Sequence, residues 1–402
     1  MYPSIYIIGK ELSRTDFLKQ RLSAAGWVHN SEFVRKILRG EYDKIFPLHI
    51  ELCVTYQCNF NCSWCSCRKS RMTKGIDTSL SYSELCTIID ECATHSTGIQ
   101  WTGGEPLINV NTLSAIEYAS MKGVRQCLFT NGSFLDVSAS KRLLNTNLAF
   151  VRISLNSAGV LFHTKFHGNI DQRISMRVLS NLDRFAYLKS TMKSDVQLGV
   201  SLVLDRNNIL DFHNTLLFLL QTKEKYPNGI DYIIIRPVND DIGGEIGDKN
   251  KEFFVSYNSE LAGNAIEELR QLGVQIVTPN EIELPYMHNE KCYGCSFFSE
   301  VSPDGSMSMC SDSYGDDNYV IGNILEECMD DIWKSSSRYE TLEKNANCFS
   351  NHLCPQYSRG WYFNVVLGQI ETFRKRGQME RVLKWIAELK KSVPYVQHSF
   401  FI

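Results

Sequence analysis

The chain has 402 residues, of which 43% are hydrophobic and 22% charged, with a formal net charge of −3. That length admits about two or three domains, and that apolar content supports a sizeable core, so a disordered chain is excluded. The slightly acidic balance leaves no basic field to hold DNA or an anionic membrane surface, and no apolar run reaches the roughly 20 residues that span a bilayer.

The start, MYPSIYIIGKELSR, lacks a basic region followed by an apolar block, so it does not read as a signal peptide and a cytoplasmic location is expected. Cytosolic thiols stay reduced, and 14 cysteines there suggest metal or cluster ligation before disulfides.

In chain order, residues 1–47 form an extension with helical patterns at Thr15–Ala25 and Glu32–Leu38. A regular alternation begins at residue 48. Strands are expected at 48–54, 98–102, 124–129, 148–156, 196–204 and 230–238, with helices at about 81–95, 111–122, 136–145, 171–188 and 208–225. Ser81 and Glu84 give the first of these helices a capping-box start. Near-continuous apolar strands with helical crossovers indicate an α/β fold with a parallel sheet, here a partial (β/α)6 TIM-like barrel over residues 48–240, whose chemistry would sit at the C-terminal strand ends.

Residues 239–252 read as a polar linker and 253–272 as a helix. A Cys-rich region, with a Pro303-Asp304-Gly305 turn, completes a second unit over 241–360. The tail, 361–402, holds an amphipathic helix at 361–391, with Trp361, Phe363, Val366, Ile370 and Phe373 on its apolar spacing.

Eleven of the 14 cysteines fall into two groups, five crowded into residues 53–67 and six in 292–354; Cys86, Cys92 and Cys127 lie between the groups, and none falls between 128 and 291. Two separate metal sites explain that gap better than scattered core cysteines. Cys58, Cys62 and Cys65 form C-x3-C-x2-C in the loop after the first strand. Thiolates at this spacing converge on one polynuclear iron site, and three ligands leave an iron open to another molecule. Zinc is the competing reading, with Cys67 or Cys53 as a fourth ligand. After the second strand comes Trp101-Thr102-Gly103-Gly104-Glu105-Pro106. Its glycines allow close backbone approach to a ligand, and Glu105 offers an acceptor for an ammonium group.

Together these residues resemble the radical S-adenosylmethionine (radical SAM) superfamily: the cysteine loop with Trp64 in its aromatic place, the Gly-Gly-Glu-Pro run, and the β/α repeat. The resemblance implies that Cys58, Cys62 and Cys65 hold a [4Fe–4S] cluster whose open iron binds SAM. It places Gly103, Gly104 and Glu105 at the SAM amino group and Trp64 near adenine. It points to Ser154, Asn156 and Arg152 for the ribose or carboxylate, with Thr130, Asn131 and Arg236 at the same mouth. Reductive cleavage of SAM would give a 5′-deoxyadenosyl radical that abstracts a hydrogen atom, with a flavodoxin- or ferredoxin-type electron donor as partner. Cys67 is a candidate hydrogen-atom donor.

The second cysteine group resembles a SPASM or twitch extension. Cys292, Cys295 and Cys310, with Cys348 or Cys354 as the fourth ligand, would hold one auxiliary [4Fe–4S] cluster. Six cysteines after residue 290 are too few for the two clusters of a full SPASM domain, and a zinc ribbon is the bland alternative. The expected substrate is a small polar molecule of the aminosugar, cyclitol or nucleotide type, undergoing dehydrogenation, dehydration or epimerisation. That leaning rests on the 47 residues before the first strand, too few for the leader-binding module common in peptide-modifying members, and on the single auxiliary cluster, which also occurs in small-molecule members of the family. The alternatives are a maturase acting on a ribosomally made peptide, and a non-catalytic iron–sulfur or zinc scaffold or redox sensor.

Overall fold

The computed structural model describes residues 27–65, 67, 71, 74–169, 171–205, 208–238, 259–277, 291–310, 315–346 and 359–392. The helical pattern at 15–25, the linker at 239–252, Cys348 and Cys354 lie outside them.

One mixed sheet organises the chain. Seven strands run in sequence order: β1 (His49–Cys53), β2 (Gly98–Thr102), β3 (Gln126–Thr130), β4 (Leu148–Ser154), β5 (Gln197–Leu204), β6 (Tyr232–Pro237) and β7 (Gln275–Val277), each parallel to the next. The helices that follow α1 (Ser31–Arg39) cross between them: α2 (Tyr82–His95), α3 (Thr112–Met121), α4 (Val137–Leu144), α5 (Val160–Phe166), α6 (Gln172–Met192), α7 (Phe212–Lys225) and α8 (Glu260–Gln271). The alternation read from sequence is present within a few residues. The expected capping box opens α2: Ser81 Oγ accepts from Glu84 N–H at 3.3 Å, and Glu84 Oε2 accepts from Ser81 N–H at 2.7 Å.

Three differences have physical reasons. The β4–β5 crossover carries an additional helix, α5, too short for its period to stand out. The expected single tail helix is two, α11 (Arg359–Lys375) and α12 (Met379–Ser392), broken at Gly377 with φ +66°. The Cys-rich unit does not stand apart: β8 (Phe298–Val301) pairs in parallel with β1 on the side away from β2. A hairpin through Pro303-Asp304-Gly305 then adds β9 (Ser306–Ser308) and, beyond it, β10 (Val320–Asn323). The short helices α9 (Met329–Lys334) and α10 (Ser336–Lys344) complete this unit.

Strand periodicity assigns the two faces. Ile50, Leu52, Ile99, Trp101, Leu128, Val151, Ile153, Leu198, Val200 and Ile233 point to the crossover helices and share one core. Cys127, Phe150, Tyr232 and Ile234 point the other way and share a second core with Val34 and Ile37 of α1 and Phe363, Val366, Ile370 and Phe373 of α11. α11 therefore packs on the face of the sheet turned away from the crossover helices.

Candidate functional site

The loop after β1 is held by its neighbours' backbone. Gly104 N–H donates to Thr55 O at 2.8 Å and Glu105 N–H to Gln57 O at 2.7 Å. Gly103 has φ +145°, and a Cβ there would lie 2.6 Å from Thr55 O; a Cβ on Gly104 would run into Gln57 O. These glycines are required because two loops pack main chain against main chain.

Glu105 is fully buried. Its carboxylate accepts from Thr130 Oγ1 at 2.7 Å, Asn131 N–H at 2.7 Å and Leu107 N–H at 3.2 Å. Burial outweighs those donors and pushes its pKa up to about 7. Glu105 was expected to offer this carboxylate to an ammonium group. In the structure this carboxylate also ties the end of β2 to the end of β3. Asn131 Nδ2 in turn donates to Asn59 Oδ1 inside the cysteine loop at 2.8 Å.

Cys58, Cys62 and Cys65 are partly buried free thiols within electrostatic reach of one another. Phe60 N–H donates to Cys58 Sγ at 3.4 Å, and His167 Nδ1 lies 3.2 Å from Cys62 Sγ. Burial raises Cys58 to about 11 and Cys62 further, while a hydrogen bond from Cys67 holds Cys65 down at about 6. Among the described residues no three such groups converge on a single ion. In a cubane each thiolate takes a different iron, and donors aimed at sulfur, such as Phe60 N–H at Cys58 Sγ, suit cluster ligands. The loop fits such a cluster.

The other expected residues are distributed around this loop. Trp64 is half-buried, with its ring 5.0 Å from Phe166 and its indole N–H on Phe166 O at 3.4 Å. Ser154 ends β4 half-buried. Asn156 is buried at φ +61°; its Oδ1 accepts from Val203 N–H at 2.8 Å and its Nδ2 lies 3.2 Å from His167 Nε2. Its side chain is thus engaged within the protein. Arg152 lies deeper, donating to Tyr232 Oη at 3.2 Å with its guanidinium 4.3 Å from the Phe129 ring. Arg236 is exposed at the end of β6. Cys67 is buried against Cys65.

Two residues escaped the sequence reading. His167 follows α5, and only its i, i+4 spacing from His163 signals that it shares a face with another buried histidine. Glu300 on β8 stands in register with Glu51 on β1. Burial first, then Glu51, raises its pKa to about 8. No sequence signal places it there, because the β1–β8 pairing is long-range.

At the second group, Cys292 Sγ accepts from Asn364 Nδ2 of α11 at 3.2 Å, and Asn364 Oδ1 accepts from Tyr293 N–H at 2.6 Å. Cys295 is buried beside Cys292, and Cys310 follows β9. Cys328 is exposed at the N-cap of α9 with its Sγ 3.1 Å from Asp331 Oδ2.

Residues 52–192 match the family model of the radical SAM superfamily, and residues 292–356 match the SPASM model, an iron–sulfur cluster-binding domain. The Fe-coproporphyrin III synthase of Methanosarcina barkeri is 26% identical over 200 residues, covering 48% of this chain and 47% of that one. The chain thus spans about half the length of that relative. The mycofactocin maturase MftC of Mycobacterium tuberculosis is 23% identical over 326 residues, covering 77% of this chain and 76% of its own. Streptococcus suis SuiB, solved with S-adenosylmethionine, shares the fold at a TM-score of 0.58 with 13% identity, over 78% of this chain and 72% of that one.

Proposed function

The chain belongs to the radical SAM superfamily and carries a SPASM domain; from that premise we propose that it is a maturase that modifies a peptide. The carrying observation is the likeness to MftC, 23% identical over 77% of the chain, against 20% over 71% for the AdoMet-dependent heme synthase of Nitratidesulfovibrio vulgaris and 26% over 48% for the porphyrin synthase. SuiB, which shares the fold, has also been solved with its precursor peptide SuiA. The expected small polar substrate is matched over a shorter stretch, the GTP 3′,8-cyclase of Campylobacter fetus being 32% identical over 30% of this chain.

Cys58, Cys62 and Cys65 would hold the SAM-binding cluster, and Cys292, Cys295 and Cys310 three corners of an auxiliary one. When bound, the cluster and SAM supply a reductively formed deoxyadenosyl radical for hydrogen-atom abstraction. The chain's own contribution is placement. Gly103 and Gly104 fix the height of the cysteine loop above the sheet, and Glu105 locks the ends of β2 and β3 beneath it. Trp64 packs on Phe166, and Ser154 and Arg236 stand at the C-terminal ends of β4 and β6. A flavodoxin- or ferredoxin-type protein supplies the electron.

The test is anaerobic turnover of the iron-loaded chain with SAM and a reductant. Short peptides encoded beside the gene are offered against aminosugars, cyclitols and nucleotides. Peptide-dependent 5′-deoxyadenosine, with a mass change on the peptide, is expected. Turnover supported only by a small molecule overturns the reading.

A further inference from the structure

The Cys62 sulfur has a neighbour with an imposed orientation. His167 Nδ1 sits 3.2 Å from it, and the imidazole is 1% exposed. The ring lies 4.7 Å from that of Phe60 and 4.3 Å from that of His163, with Trp64 edge-on at 6.0 Å. The backbone is fastened to the cysteine loop as well. Asn61 N–H donates to His167 O at 3.0 Å, and Gly168, at φ +59°, approaches Asn61 O so closely that any Cβ would collide.

A neutral imidazole has one N–H and one lone pair, and Asn156 decides which nitrogen has which. Val203 N–H, a backbone donor, reaches one end of the Asn156 amide at 2.8 Å, so that end is the oxygen and the amide cannot be flipped. The other end, Nδ2, faces His167 Nε2 at 3.2 Å, and an amide nitrogen only donates. Nε2 must therefore accept. The ring proton is on Nδ1, aimed at Cys62. An Nε2 proton would have Leu155 O as acceptor at 3.5 Å, and would still oppose the Asn156 donor. Asn156 itself is anchored: its main-chain carbonyl accepts from Asn208 Nδ2 at 2.9 Å, and asparagine tolerates its φ of +61°.

We propose that His167 donates an Nδ1–H···S hydrogen bond to the Cys62 thiolate, and that Asn156 is the positioning residue that fixes the tautomer for it. With the cluster bound, this pair favours the reduced state, because a donor at sulfur stabilises the added negative charge. The inference rests on the cluster assignment to Cys58, Cys62 and Cys65 and is independent of the substrate class.

The experiment is an EPR-monitored redox titration of the reconstituted full chain, following the signal that SAM addition perturbs. His167→Phe keeps a ring and removes the donor. His167→Asn keeps a donor near the Nδ1 position. Asn156→Asp keeps the Val203 bond but accepts from Nε2, which draws the ring proton away from Cys62. At unchanged iron content, His167→Phe and Asn156→Asp are each expected to shift the reduction equilibrium about tenfold toward the oxidised state. That corresponds to about 59 mV for a one-electron couple. His167→Asn restores most of it.

Adding Asn156→Asp to His167→Phe is expected to change nothing further; a second full shift would mean that aspartate acts by charge alone and would overturn the relay. Ring ¹⁵N shifts of His167 give a readout independent of potential, with the proton on Nδ1 in the wild type and on Nε2 in Asn156→Asp. Wild-type potentials in both single variants, or an Nε2 proton in the wild type, overturn the proposal. A wild type that acquires no SAM-responsive cluster overturns the cluster assignment, and this inference with it.

Discussion

The two cysteine sites solve one problem with different materials. Cys58, Cys62 and Cys65 come from one loop, clamped by backbone on both sides: Gly103–Gly104 beyond β2 and His167–Gly168 after α5. Cys292, Cys295 and Cys310 come from a turn and a strand end, and what holds the turn is α11. Asn364 bridges Tyr293 and Cys292, and a Cβ on Gly294 would lie 2.8 Å from the Gly360 backbone. The first site is thus assembled by the sheet itself. The second depends on docking of a helix from far along the chain, so it should be the easier one to loosen.

The largest expected effects test that separation. Cys65→Ala should remove about four irons per chain and the SAM-responsive signal while leaving the auxiliary cluster; Cys295→Ala should do the reverse. Iron analysis with EPR checks both, and loss of all iron in either variant would mean that the sites are not independent.

Next come the clamps. Gly104→Ala forces a methyl into Gln57 O and should cost about 1–3 kcal/mol, read by calorimetry. Asn364→Ala leaves Tyr293 N–H and Cys292 Sγ without their partner in a buried place. It should cost a similar amount, about 1–3 kcal/mol, but lower the iron of the auxiliary site alone.

A pH effect is expected where the two units share the sheet. Glu300 lies in β8, fully buried, with its pKa raised from 4.5 to about 8. The folded state therefore holds a proton that the unfolded state has released. The stability this provides is present in full below pH 4.5 and is lost as pH rises through about 8. Thermal unfolding of the wild type should fall more steeply between pH 5 and pH 8 than that of Glu300→Gln, by on the order of 1 kcal/mol or more. Parallel curves would show that the proton is not held there.

The smallest effect belongs to Cys328→Ser. An exposed thiol at a helix N-cap should change stability by less than about 0.5 kcal/mol and leave the iron content unchanged. A loss of iron would make Cys328 a ligand and redraw the auxiliary site.

Much of the core was legible in sequence because its signals are local. The apolar strands, the Ser81–Glu84 cap and the C-x3-C-x2-C loop each lie within one element or one turn. Gly103 and Gly104 were legible as positions needing backbone approach, although the approaching group is the chain's own Thr55 and Gln57. Glu105 was legible as a site residue, whereas its burial and its three donors arise only when β2 and β3 stand side by side. No described helix is long and apolar enough to cross a membrane, in line with the hydropathy of the sequence.

By itself the amino-acid order determined which residues carry thiols, glycines and carboxylates, and the strand–helix rhythm that brings them to one end of a sheet. Folding alone decided the rest: β8 beside β1, α11 against the turn at Cys292, and a histidine whose Nδ1 faces Cys62 while its Nε2 faces an asparagine from another loop. These are contacts between segments distant in the chain, whose geometry is set by packing and by which donor finds which acceptor, and no local pattern encodes them.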